Sequence, residues 1–476
     1  MNIAMLLEMA ADGLGDRVAI GPRDGGLSYV ALRERAQAIA AHMEGSETHT
    51  LALVDETSAL VPAALFGAAW AGISYAPINY RLPAEARHDL LHRLRPSVVA
   101  DATWLGFTSA PCSYPDEPSR PAVLLFTSGT SAEPKAAVLE HDQLLAYQLN
   151  TVEFASAGDD EAVLLAVPPF HIAGVTTVLS STYAGRRIVP MPRFTAEGWI
   201  ELAVAERVTH AFVVPTMLAR IVHVLDGDPS ARPPALRHLA YGGARMPAPV
   251  LERALDLLPD TGFVNAYGLT ETSSTVSVLG PDEHRAAVTS ADPAVRARLA
   301  SAGLPVPGIE VRIVDPDGTD VAPGEAGEIV LRGAQVSGDY MGRGSQRDDD
   351  GWLRTGDLGR LDAEGYLFVE GRGDDTIIRG GENLAPAEIE DALLAHPAVA
   401  SAAVVGIPDE EWGERVVAMV SLRIGALADE GELRRHVHDH LGSMKTPELV
   451  AIRDELPQTA TGKILRRQVR TELSQG

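Results

Sequence analysis

The apolar positions of the chain fall into short runs, each closed by a polar, Gly- or Pro-containing turn. Ala31–Met43 predicts a helix, Leu51–Val54 a buried strand and Leu60–Trp70 a second helix. Ala122–Phe126 is a brief apolar run that ends in a Thr/Ser/Gly-rich loop, and His141–Asn150 follows with helical spacing. Strand, polar turn and helix in that order predict an α/β layered body. Val163–Val167, His210–Val214 and Leu239–Tyr241 repeat the theme. From about Gly308 the texture changes. Ile309–Gly318, Gly327–Gly333 and Gly365–Arg372 alternate with Gly-rich turns, which predicts antiparallel β-structure. After Arg372 a mixed unit begins: a helix over Pro386–Leu394 with Pro in its first turn, strands over Ala400–Gly406 and Arg415–Leu422, and a helix over Glu432–His440. The expected architecture is a large multi-layer N-terminal α/β domain (1–373) with a β-rich subdomain, and a small α+β C-terminal domain (374–476). Gly371–Asp375 is the natural hinge.

The uncharged stretch Thr57–Tyr80 has the length of a membrane span. Pro62, Gly67, Gly72, Ser74, Pro77 and Asn79 interrupt it, so it reads as a buried helix followed by a strand. Lys and Arg total 40 against 65 Asp and Glu, a formal net charge of −25. Such a surface repels nucleic acid and anionic lipid, so neither is an expected partner. An anionic small molecule needs only a local positive site. Cys112 is the single cysteine, which excludes an internal disulfide and suits a reducing cytoplasm; Met1–Ala11 lacks the pattern of a secretory signal.

Four constellations carry candidate chemistry. In Phe126–Ala137, the hydroxyls of Thr127, Ser128, Thr130 and Ser131, the backbone freedom of Gly129 and the charge of Lys135 suit an anion. It is not a Walker A loop, and alone such a loop is more often a solvated turn. Asn265–Thr272 gathers an aromatic ring, a Gly, Thr270 and Glu271 in what reads as one short turn. Glu271 suits a hard cation, although a helix start capped by Thr270 explains the same residues. Thr355–Asp357, ahead of Gly371 and Arg372, offers a carboxylate and a guanidinium for sugar and phosphate. Pro457–Arg467 places a Gly-Lys pair near the C-terminus, where a basic helix start is the plain alternative. His436, His438 and His440 read as a solvated helix, because only His436 and His440 share a face.

In their order and spacing these motifs, with Tyr75–Leu82, Pro168–Gly174, Tyr241–Ala244 and Gly380–Glu390, resemble the adenylate-forming superfamily of acyl- and aryl-CoA synthetases, peptide-synthetase adenylation domains and luciferases. The resemblance covers essentially the whole chain. It implies ATP-dependent, AMP-forming activation of a carboxylic acid, with Mg²⁺ as cofactor and CoA as co-substrate. By that resemblance, Thr127, Ser128, Gly129, Thr130 and Lys135 hold the β- and γ-phosphates. Gly243 and Ala244 line the nucleotide and acyl pockets, with Asn265 beside them. Tyr267 stacks on adenine, Thr270 touches the α-phosphate and Glu271 binds Mg²⁺. Asp357 takes the ribose hydroxyls with Arg372 nearby, and Lys463 bridges the acid and the α-phosphate. His171, Val213 and Thr216, with Gly243 and Asn265, line the acid pocket. Asp374 maps to the hinge of a mobile small domain, and Gly380, Gly381 and Glu382 to the border of the pantetheine tunnel.

The chain departs from the family pattern where Ser131, Ala132 and Ala136 replace Thr, Gly and Gly of the phosphate loop, which reduces backbone freedom there. Asn383 stands where several CoA synthetases carry Arg. The segment Pro168–Gly174 holds no Asp to pair an α-amine, so an amino acid substrate is not expected; a medium acyl or aryl acid is. Arg245 reads either as a partner for a second carboxylate or as a solvent-facing side chain. Two other readings share the ATP motifs: relatives that activate nitrite to diazotise an aryl amine or that form amides, and a nucleotide-binding sensor without turnover, against which intact Glu271 and Lys463 argue.

Overall fold

The structure is a computed structural model that describes residues 1–127, 134–380, 382–409, 412–423, 425–459 and 464–474. A nine-stranded sheet, a seven-stranded sheet and a four-stranded sheet precede residue 373, and a five-stranded sheet follows it. The nine-stranded sheet has a parallel centre. Gly262–Leu269 pairs with His238–Gly242, which pairs in turn with His210–Val213; Ala162–Leu165 and Arg187–Pro190 continue it. The seven-stranded sheet holds the parallel strands Val123–Thr127, Ser74–Pro77, Thr50–Leu53 and Ser97–Ala100. Parallel strands buried on both faces need continuous apolar runs rather than alternation, and the short runs of the sequence are of that kind.

Helices fill the space between these sheets. Leu60–Trp70 is buried along all its residues, and Ser74–Pro77 follows as a buried strand, as expected for the uncharged stretch. Among the described residues no helix is long and apolar enough to cross a membrane. Gly67 lets this helix approach Tyr29–His42, since a Cβ there would stand 2.6 Å from the Ile39 side chain. The partner helix starts where the Ser28 hydroxyl accepts the Ala31 N–H at 3.2 Å.

Ile309–Val314, Gly327–Gly333, Leu353–Leu361 and Leu367–Arg372 form an antiparallel meander, as the Gly-punctuated texture predicts. The C-terminal sheet pairs Val399–Asp409 with Gly413–Leu422, and Leu449–Arg453 lies parallel to the latter. Helices Pro386–Ala395 and Glu430–Leu441 cover it, with Ile389, Leu393, Leu433 and Val437 fully buried. The chain is thus a mixed α/β protein with a large N-terminal and a small C-terminal domain.

Two expectations need correction. Asn265–Leu269 is not part of a turn. It belongs to the strand Gly262–Leu269, held by His238–Gly242 on one side and Ser274–Leu279 on the other, and only Thr270–Thr272 forms a 3-10 turn. Pairing on both edges decided this, and a local pattern does not contain it. In the second case, His436 is half-buried rather than fully solvated. Its ring lies 5.0 Å from that of His396 and 4.3 Å from that of His440, with its Nε2 sealed from water, whereas His438 and His440 are exposed.

Candidate active site

The C-terminal ends of neighbouring parallel strands collect the residues expected for the acid pocket. Val213 and Asn265 both lie in register with Tyr241, and Gly242–Ala244 follow directly from the same strand. His171 sits at the start of helix Ile172–Ala184, just beyond the strand Ala162–Leu165. Thr216 lies in the first turn of helix Pro215–Gly227, which follows Val213. Asn265 is fixed by donating its Nδ2–H to the Ser301 carbonyl at 2.8 Å. A crevice at this end of parallel strands is where open α/β sheets bind ligands. The cleft between Asp160, Arg207, Arg237 and Asp260 lies at the opposite ends of the same strands.

Tyr267, Asp357 and Arg372 form one hydrogen-bonded unit drawn from two sheets. The Tyr267 hydroxyl donates to Asp357 Oδ2 at 2.7 Å, and Arg372 Nε lies 2.9 Å from Asp357 Oδ1. Asp357 and Arg372 are register partners on antiparallel strands, so the backbone itself sets them side by side. Arg372 also donates to the Thr355 carbonyl at 2.9 Å, and the Thr355 hydroxyl accepts the Asp357 N–H at 3.0 Å. The Asp357 side chain is 8% exposed and that of Arg372 45%, so the unit has a buried root and an open edge. Burial and the Asp357 charge hold the Tyr267 phenol well above its ordinary pKa, which keeps it a hydrogen-bond donor.

A second cluster adjoins the first. Tyr340 donates its hydroxyl to Glu271 Oε1, and Lys135 Nζ lies 5.5 Å from the Tyr340 ring centroid. The charge of Arg372 is felt at Tyr340, so the clusters share one electrostatic environment. Tyr340 is placed by a two-residue strand that pairs with Ala137. Glu271 is held through its backbone, whose carbonyl accepts N–H groups from Ser337 at 2.8 Å and Gly338 at 3.1 Å. The turn beyond it is strained, with φ of 54° at Ser273 and 133° at Ser274. Thr272 Oγ1 stabilises that turn by accepting the Leu269 N–H at 2.9 Å and donating to the Ser274 carbonyl at 2.7 Å.

Among the described residues no group of three or more His, Cys, Asp or Glu side chains is disposed to hold a metal. One carboxylate fits a cation that arrives on a nucleotide, because Mg²⁺ is commonly held by one or two carboxylates together with substrate phosphates. Glu271 supplies such a carboxylate at the site's edge.

His171 faces an apolar wall. Its ring centroid is 4.6 Å from that of Phe170, which lies 5.7 Å from Tyr80, and its Nε2 is buried without a hydrogen-bond partner among the described residues. Burial, aided by the charge of Arg81, pushes its pKa down to about 4, so the imidazole is neutral at pH 7.

Thr127 is bound locally, its hydroxyl donating to the Lys135 carbonyl at 3.4 Å across a strand pair. Ser128, Gly129, Thr130, Gly381 and Lys463 lie outside the described residues. Thr270 opens the 3-10 turn beside Glu271. Asp374 lies in the short turn Gly373–Asp375 after the strand Leu367–Arg372, and Gly380 and Glu382 belong to the hairpin of Ile377–Arg379 and Glu382–Leu384. Arg245 is exposed to solvent, as one of its two readings expects, and its guanidinium pairs with Asp391. Two side chains went unassigned in the sequence. Thr355 was visible in its motif but without a role, and Tyr340 carries no local signal, since only strand pairing brings it to Glu271 and Lys135.

The sequence profile of the AMP-binding enzyme family matches residues 7–105 and 101–341, and that of the AMP-binding enzyme C-terminal domain matches 388–463. The chain is similar to the indoleacetate–CoA ligase of Aromatoleum aromaticum, 32% identical over 488 residues that span 93% of this chain and 92% of that one. It superposes on the o-succinylbenzoate CoA synthetase of Bacillus subtilis in complex with its acyl-adenylate intermediate, with a TM-score of 0.82, 28% identity, and coverage of 98% of this chain and 97% of the other. An amide bond synthetase from Marinactinospora thermotolerans superposes with a TM-score of 0.82 at 27% identity, covering 99% of each chain.

Proposed function

The chain belongs to the AMP-binding enzyme family, and on that premise we propose that it activates a medium acyl or aryl carboxylic acid with ATP and passes the acyl group to CoA. The observation that carries this reading is the joint cluster of Tyr267, Asp357 and Arg372 with Glu271, Tyr340 and Lys135. It offers an aromatic face, a carboxylate for ribose hydroxyls and cationic groups for phosphate within one site.

In the first half-reaction a carboxylate oxygen of the acid attacks the α-phosphorus of ATP, and pyrophosphate leaves. Two anions must meet, so charge compensation and positioning carry the rate rather than proton transfer. Asp357, with Arg372, orients the ribose, Tyr267 faces the base, Thr270 faces the α-phosphate, and Lys135 faces the outer phosphates. Lys463 bridges the acid and the α-phosphate. Mg²⁺ bound through Glu271 would supply further neutralisation of the triphosphate. In the second half-reaction the CoA thiol attacks the acyl carbonyl, the thiol proton is lost, and AMP leaves. The small domain (374–476) turns about Asp374 between the halves. That motion withdraws Lys463 and brings Gly380, Gly381 and Glu382 to the pantetheine path.

The acid pocket comprises His171, Val213, Thr216, Gly243 and Asn265. A neutral His171 against Phe170 and Tyr80 supports an acid without a charged amine. A product screen tests the reading. Protein, ATP, Mg²⁺ and pooled aliphatic and aryl acids are incubated with CoA, an amine or nitrite, and the products are read by mass spectrometry. A CoA thioester with AMP is the expected product. An amide, or a nitrite-dependent diazo product without thioester, would overturn the choice of acceptor while keeping the ATP chemistry.

A further inference from the structure

Arg245 follows the Gly242–Ala244 wall of the site by one residue, and its guanidinium pairs with Asp391 on helix Pro386–Ala395 of the small domain. That helix cannot shift independently of its domain, because Ile389 and Leu393 are fully buried in the small domain's core. It packs against helix Ala248–Leu257 and strand Leu367–Arg372 of the large domain. The next residue on the same helix, Glu390, receives Arg466 at 2.6 and 2.7 Å. Arg466 also lies 3.9 Å from Asp375 in the turn that joins the domains. A chain of charge therefore runs from the site wall through one rigid helix to a residue three positions after Lys463.

In this arrangement the hairpin of Ile377–Arg379 and Glu382–Leu384 leaves Ile378, Gly380 and Glu382 exposed, Ile378 by 55%. An exposed hairpin suits the pose in which the pantetheine border is not in use.

We propose that the Arg245–Asp391 pair is a latch that holds the small domain in the acid-activating pose, which makes Arg245 a positioning residue for the first half-reaction. This inference rests on the two-pose reading above. Turning the small domain carries Asp391 away from Arg245, so the pair must open before thioester formation. Both side chains are about two-fifths exposed, at 40% and 39%, so the pair is screened by salt and weak enough to open in each cycle.

The test compares Arg245→Asp, Asp391→Arg and the double exchange in the full-length protein. Pyrophosphate release reports acid activation, and thioester formation from supplied acyl-adenylate and CoA reports the second half. Each single variant is expected to slow activation about two- to fivefold, the scale of a half-exposed ion pair. The second half is expected to be unchanged or faster, and the double exchange to recover most of the loss. Single variants that slow both halves equally, or a double exchange that recovers nothing, would overturn the latch. A fluorescence distance between labelled positions on the two domains provides a readout independent of turnover. A shortened occupancy of the closed distance in the single variants, restored in the exchange, supports the latch even if the product screen fails. An unchanged distance distribution in the single variants refutes it even if the screen succeeds.

Discussion

Replacing Asp357 by Asn isolates the role given to the buried carboxylate. Asn has nearly the same shape and keeps one acceptor oxygen, so it still receives the Tyr267 hydroxyl now bound at 2.7 Å. The other carboxylate oxygen, which meets Arg372 Nε at 2.9 Å, becomes an amide NH₂. Two donors then face each other in a place where the Asp357 side chain is only 8% exposed. A hydrogen bond to a charged group contributes about 1.5–3 kcal/mol. If the same carboxylate receives the ribose hydroxyls, the variant loses one interaction of this class in the nucleotide complex. That corresponds to about a 10- to 150-fold rise in the ATP Kd or KM. The maximal rate should move little, because ribose binding is shared by ground and transition states. Pyrophosphate release against ATP concentration gives the KM–kcat split, calorimetric titration with ATP gives the Kd, and a thermal melt separates a folding loss from a binding loss. An ATP KM within twofold of the parent in a normally folded variant refutes the ribose assignment. A fall in kcat at constant KM would move Asp357 from binding to the chemical step.

Three further outcomes follow from the same geometry. Lys463→Ala should abolish acid activation while thioester formation from supplied acyl-adenylate survives, and Asp374→Pro should do the reverse by fixing φ at the joint; half-reaction assays decide, and equal losses in both halves contradict the domain-turning scheme. Gly242→Ala places a Cβ 2.2 Å from the Ala266 carbonyl oxygen, so the strand pairing at the site must shift, and a destabilisation of about 1–3 kcal/mol is expected in denaturant unfolding; an unchanged midpoint would refute the close approach. Burial holds His141 and His171 at pKa values of about 4, below the ordinary 6.5. His141 Nδ1 also accepts the Ile3 N–H at 3.1 Å, a bond that requires an unprotonated nitrogen. A depressed histidine contributes its full stability above pH 6.5 and loses it as the pH falls toward 4, by about 2 kcal/mol per residue at pH 5. His141→Gln should flatten this acid limb in melts recorded from pH 7.5 to 5, and a limb of equal depth would remove His141 from the cause.

The local code of the chain determines its elements where one face or the whole element is apolar. Leu60–Trp70 was legible as a buried helix because every position is apolar or small, and Ile309–Val314 to Leu367–Arg372 as antiparallel strands because Gly-rich turns bound alternating segments. The motif around Asp357 and Arg372 was legible as chemistry only through its order in the whole chain, yet the register that sets the two side by side lies in the pairing of distant strands. Tertiary structure alone decided the strand character of Asn265–Leu269, the delivery of Tyr340 to Glu271 and Lys135, the inward face of His436, and the engagement of Arg245 by Asp391. The physical reason is common to all four. Composition and periodicity determine which surfaces a segment must bury and what its backbone favours nearby. Which partner fills the exposed edge of a strand, or meets a charged side chain, depends on groups far away in sequence that only the folded chain brings within a few ångströms.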